Sequence, residues 1–226
     1  MAFLVVGLGR SGTKFLAETL NKSKEFTVRH ETAHDGDILE KTQVTKADVQ
    51  KRLVGSVGEV NHYLTPYLFS LVVDKKAVII RDVRNVILSF ANKWKDRAVN
   101  EKTLVAHKKN KVEGYKKLLI DRTDFRPFMV EKIQNHQPLL KVLDKALSAK
   151  VRRIDFANMI SSMRYLRGIA EFLGVTDVPW VEVDIREKIN AGPEKKAYAS
   201  YADLPKFMKV EVEKLLWFNK KWKPLP

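Results

Sequence analysis

Two stretches of the chain hold residues whose types and spacing suit the binding of phosphate-like anions. The first is Gly7-Leu8-Gly9-Arg10-Ser11-Gly12-Thr13-Lys14, between the apolar run Phe3–Val6 and an amphipathic segment, Thr13–Leu20. A glycine-bearing turn between a buried strand and a helix start gathers free backbone N–H groups at the positive end of a helix dipole. Such a turn attracts anions by construction. The second stretch, Arg81-Asp82-Val83-Arg84-Asn85-Val86-Ile87-Leu88-Ser89, follows the apolar run Ala77–Ile80. Arg81 leaves the carboxyl end of a predicted strand, where ligands of open α/β sheets collect. Ser89, eight positions later, lies about two turns into the next helix and can offer its hydroxyl to the same anion.

Three chemistries compete for the first stretch. Gly7, Gly9 and Gly12 satisfy the dinucleotide fingerprint G-x-G-x-x-G, and Glu31 stands 19 positions beyond Gly12, near where a ribose-binding carboxylate is expected. Gly7 and Gly12 also have the spacing of a Walker A loop. There Thr13-Lys14 reverses the required order, so a cation occupies the place of the magnesium-binding hydroxyl, and a metal–ATP site is disfavoured. In the third reading, Arg10-Ser11-Gly12-Thr13 resembles the 5′-phosphosulfate loop of sulfotransferases, in which a basic residue precedes Ser-Gly-Thr. Arg81 and Ser89 resemble that family's 3′-phosphate motif in both order and spacing, with Val83 where proline is common. Two loops in the right order favour the third reading over either of the others.

The resemblance implies a donor, 3′-phosphoadenosine 5′-phosphosulfate, used as co-substrate without a metal. It places Gly9, Arg10, Ser11, Gly12, Thr13, Lys14, Phe15, Arg81 and Ser89 at the nucleotide. Arg10 becomes a fixed charge near the bond that breaks, since a guanidinium does not act as a proton donor. Two residues compete as the base that deprotonates the acceptor. His62, in Asn61-His62-Tyr63-Leu64, resembles the histidine of the Thr-His-Leu-Pro segment of cytosolic members. Glu31, ending the predicted strand Phe26–His30, matches the glutamate of carbohydrate-directed members. An imidazole ordinarily titrates near pH 6.5, which suits a base at neutral pH and favours His62. Arg153-Ile154-Asp155-Phe156 and Phe172-Leu173-Gly174 resemble two later family segments, and Lys195 or Lys196 stands in for a C-terminal basic motif. The implied acceptor is a small molecule or a glycan presenting a hydroxyl or amine. The runner-up enzyme is a P-loop kinase-like phosphotransferase, which would need Mg²⁺.

Those residues need elements to hold them. Apolar runs at Phe3–Val6, Phe26–His30, Ser56–Val60, Ala77–Ile80 and Val151–Ile154 alternate with amphipathic stretches, the pattern of a parallel sheet flanked by helices. Predicted helices are Thr13–Leu20, Ala47–Leu53, Ser161–Leu173 stopping at Gly174, and Lys206–Trp222; Arg186–Pro205 reads as a loop. The expectation is a single α/β domain over residues 1–226, with about five parallel strands, and the resemblance implies an architecture similar to nucleotide kinases.

At 226 residues, 45% apolar and 31% charged, the chain can build a real core. Its net charge of +15 calls for a polyanionic partner. The paired lysines at 108–109, 116–117, 195–196 and 220–221 are scattered, and nothing resembles a nucleic-acid recognition element, so a basic nucleic-acid module is the weaker alternative. With no cysteine, thiolate chemistry and Cys-ligated zinc are excluded. The apolar stretch Ala2 to Val6 is short for a signal peptide and no run approaches the ~20 residues of a membrane span, so a soluble cytoplasmic protein is expected.

Overall fold

The computed structural model describes residues 1–30, 46–95, 125–149, 151–185 and 196–222. Five strands form one sheet: β1 Ala2–Gly7, β2 Thr27–Arg29, β3 Val57–Val60, β4 Lys75–Ile80 and β5 Arg152–Asp155. Their order is β2-β3-β1-β4-β5 and every pairing is parallel. All five lie within two residues of the predicted runs. β1 is buried along its whole length, as a central parallel strand covered on both faces must be.

The alternation of β1 side chains divides the core in two. Leu4 and Val6 join Val78 and Ile80 of β4 on one face. That face is covered by α3 (Val83–Lys95), α4 (Phe125–Gln134), α5 (His136–Ser148), α8 (Lys206–Glu213) and α9 (Trp217–Lys221). Phe3 and Val5 join Ala77, Ile79 and Ile154 on the other, under α1 (Thr13–Leu20), α6 (Phe156–Ser161) and α7 (Met163–Leu173). A short α2, Lys46–Arg52, precedes β3. Among the described residues no helix is long and apolar enough to cross a membrane.

Several expectations need correction. The helix predicted over Ser161–Leu173 is α7, starting two residues later than expected because Ser162 adopts an extended conformation and its hydroxyl accepts from the Tyr165 N–H as the N-cap. Its predicted end holds: Gly174 takes the left-handed C-cap at φ 80°. The helix predicted over Lys206–Trp222 is two. Leu215 and Leu216 are both buried, whereas adjacent residues of one straight helix point about 100° apart; here the chain tightens through Leu215 N–H to the Val212 carbonyl between the two helices. A 3₁₀ helix over His62–Tyr67, as well as α4 and α5, had no counterpart in the sequence reading. Within the predicted loop 186–205, residues 196–205 are described and include a 3₁₀ turn at Tyr201–Asp203.

Candidate functional site

In this strand order the chain leaves β1 towards β2 on one side and β4 towards β5 on the other. The β1 and β4 carboxyl ends therefore flank a topological switch point, the place where open α/β sheets bind ligands. The register sets Gly7 opposite Ile79, so the loop after β1 and Arg81 after β4 emerge side by side.

The two motifs meet there. The Arg10 Nε donates to Ser89 Oγ at 3.0 Å, across 79 positions of sequence. An Arg81 terminal N–H donates to the Arg10 carbonyl. Arg10 holds φ at 70°, a left-handed conformation that costs a non-glycine residue about 1–3 kcal/mol and tends to persist at ligand sites. Burial, then the neighbouring Arg10 charge, push the Arg81 guanidinium down to about 10, with Asp82 opposing. Arg81 therefore stays charged at neutral pH while short of solvation.

Ser11 sits inside the loop. Its hydroxyl lies 2.5 Å from where a side chain on Gly7 would begin, and it is buried with no hydrogen-bond partner among the described residues. The Arg81 Nε is likewise buried and unpartnered among them. Unsatisfied donors of this kind are costly in a native protein. One oxyanion at the α1 N-terminus and another beside Arg81 would supply the missing partners, so the residues present fit phosphate or sulfate groups.

The remaining predicted residues distribute as follows. Thr13 opens α1 and is buried, with its Oγ1 3.1 Å from the Nε2 of His30. Gly12 caps that helix at φ 92°. Lys14 pairs with Glu18 at 3.3 Å along the helix. Phe15 is a core residue beneath the loop. His62 packs beside the loop: a Cβ on Gly9 would lie 3.2 Å from its Cδ2 and 3.3 Å from its Nε2. Asn61 sets that placement, since its N–H extends the ladder to the Val5 carbonyl and its side chain accepts from the Tyr63 N–H. Thr65 ties the same turn to the Gly7 carbonyl at 2.8 Å. Arg153 approaches Asp155 at 3.9 Å. Glu31 and Lys195 lie outside the described residues, and Lys196 is exposed.

Sequence reasoning missed four neighbours of the site. His30 immediately precedes Glu31 and reaches Thr13. Phe156 lies against Arg81, with the guanidinium carbon 4.2 Å from the ring centroid. His136 is buried behind His62 and meets the edge of Phe90 at 5.3 Å. Asn92, one turn beyond Ser89, clamps the Tyr198 backbone through its amide at 2.9 and 3.0 Å. Two signals in the sequence bore on them: His30 and Phe156 stand directly at the ends of predicted strands, and Phe156 closes the segment Arg153–Phe156 already noted for its resemblance, without a role of its own.

The strand order also bears on the dinucleotide reading. β3 separates β2 from β1, whereas the ribose carboxylate of that fold follows a strand adjacent to β1.

No protein-family model matches the chain, and no curated protein matches it. Among solved structures, a sulfotransferase from Alicyclobacillus acidocaldarius aligns over 96% of this chain and 94% of that one, at 17% identity and a TM-score of 0.43. The fold follows from the strand order itself, independently of so distant a likeness.

Proposed function

We propose that the chain is a sulfotransferase using 3′-phosphoadenosine 5′-phosphosulfate as donor and a hydroxyl or amine, of a carbohydrate or other small molecule, as acceptor. The convergence of Arg10, Ser89 and Arg81 at the β1/β4 switch point supports this reading. The donor supplies a sulfuryl group: a bond from the acceptor oxygen or nitrogen to sulfur forms, the bond from sulfur to the 5′-phosphate oxygen breaks, and that oxygen keeps the electron pair. The chain's part is to bind, orient and offset charge. The Ser11 N–H closes the loop onto the Leu8 carbonyl, and the backbone N–H groups of Gly9, Arg10, Gly12 and Thr13, with the Ser11 and Thr13 hydroxyls, are the donors offered to the 5′-phosphosulfate. Arg10 offsets the charge that grows on the leaving oxygen, and Arg81 with Ser89 receives the 3′-phosphate. His62, beside Gly9, takes the acceptor proton, with Glu31 the competing base. A sulfuryl group carries less negative charge than a phosphoryl group, so fixed cations and amides serve without a divalent ion.

Thermal unfolding in EDTA tests the donor. We expect 3′,5′-adenosine bisphosphate to raise the midpoint, with a linkage gain of about 2.7 kcal/mol at 100 times Kd. ATP with excess Mg²⁺, or NAD, should do much less in parallel runs. Equal or stronger stabilisation by NAD or Mg–ATP would overturn the donor.

A further inference from the structure

A third part of the chain enters the site through one aromatic ring. Phe156 begins α6, immediately after β5. Its ring carries the Arg81 guanidinium on one face at 4.2 Å and presses against the loop at Gly12. A Cβ on Gly12 would fall 2.7 Å from Cε2 and 2.8 Å from Cδ2 of that ring. Residues following three different strands, β1, β4 and β5, therefore meet at Phe156.

The geometry of Arg81 gives this contact a consequence. A terminal N–H already donates to the Arg10 carbonyl, and Nε is buried without a partner among the described residues. A planar guanidinium has all its donors in its rim and none on its faces. With its central carbon over a ring and a terminal N–H held by the Arg10 carbonyl, the group is restrained at two points. The free rim then has a fixed direction. Burial, which pushes this guanidinium down to about 10, strengthens its pull on an anion by excluding water.

We propose that Phe156 is a positioning residue for anion binding: stacking on its ring fixes the plane of Arg81 so that the guanidinium rim meets an incoming phosphate-like oxyanion. Taking that oxyanion as the donor's 3′-phosphate rests on the function proposed above; the stacking itself does not. An apolar filler at this position would be replaceable by leucine or methionine without consequence for Arg81.

Calorimetry with 3′,5′-adenosine bisphosphate on the full chain separates these roles, using wild type, Phe156→Leu, Phe156→Tyr, Arg81→Ala and the Phe156→Leu/Arg81→Ala double variant. Loss of the ring beneath the cation should weaken binding about 2- to 30-fold in Phe156→Leu, and tyrosine should restore it. In the Arg81→Ala background, Phe156→Leu should cause no further loss. Wild-type affinity in Phe156→Leu, or an equal loss with and without Arg81, overturns the proposal. Phe156→Met takes the same arms if the leucine variant does not fold. A ligand-free readout stands beside these. The Arg81 Nε–H proton resonance should show a ring-current shift in wild type that disappears in the leucine or methionine variant. Should the bisphosphate bind neither wild type nor variants, the donor reading fails while this resonance still decides the stacking: a shift lost on substitution supports it, and an absent or unchanged shift overturns it.

Discussion

Arg81 and Ser89 share a motif but do different work. Arg81 is half-buried, charged and aimed by Phe156, so Arg81→Ala should cost on the order of 2–5 kcal/mol in bisphosphate affinity. Ser89 offers a neutral hydroxyl that already accepts from Arg10, and Ser89→Ala should cost roughly 1 kcal/mol. Calorimetry against adenosine 5′-phosphosulfate, which lacks the 3′-phosphate, gives the contrast: Arg81→Ala should leave its affinity nearly unchanged. An equal loss for both ligands would instead assign Arg81 to holding the loop through the Arg10 carbonyl. The base is decided by turnover. Removing it should lower kcat about 10²–10⁴-fold while bisphosphate affinity stays near wild type. His62→Ala is expected to do this and Glu31→Gln is not; the reverse result would transfer the role to Glu31. Arg81 and Ser89 were legible because their spacing is local and periodic. Phe156 and His30 were not, because their meaning depends on which strands become neighbours, and adjacency in a sheet is a long-range property.

The elements follow from the sequence to the degree that burial is uniform. β1 and β4 read clearly because central parallel strands are apolar on both faces, and α1 was legible from its stripe and its glycine start. The 3₁₀ turn His62–Tyr67 escaped because Pro66 lies inside it and six residues are too few to show a period. The break at Lys214–Leu216 escaped because the apolar pattern runs through it. Gly12 is where element and site impose one constraint. Its φ of 92° disfavours any side chain, and its missing Cβ leaves the space that the Phe156 ring fills. Gly12→Ala should therefore lower stability by about 2–4 kcal/mol in urea unfolding, from backbone strain and overpacking together. Bisphosphate binding should weaken as Phe156 is displaced. Wild-type stability in this variant would mean that the loop opens away from α6 at little cost.

At the scale of the molecule, the sheet supplies a two-sided core and gathers the loop Gly9–Thr13, His62, Arg81 and Ser89 at its carboxyl edge, while the core behind that edge contains a second histidine. His136 is 5% exposed at the start of α5. Its Nδ1–H donates to the Lys132 carbonyl at 2.7 Å, and its ring meets Phe90 edge-on. The charged groups bearing on it are Lys132 and His62; burial is the larger influence and pushes its imidazole down to about 4. The unfolded chain binds this proton near pH 6.5, whereas the folded chain resists it until about pH 4. Between those values the unfolded state holds more protons, so stability rises with pH across the window and falls as the solution is acidified. The difference corresponds to about 3 kcal/mol lost on going from pH 7 to pH 4. Denaturant unfolding measured across that range on wild type and His136→Gln isolates it, because glutamine cannot charge yet can still donate to the Lys132 carbonyl. The variant should lose distinctly less stability over the same interval. Parallel pH curves for the two proteins would show that the folded chain admits the proton at His136 as readily as the unfolded one.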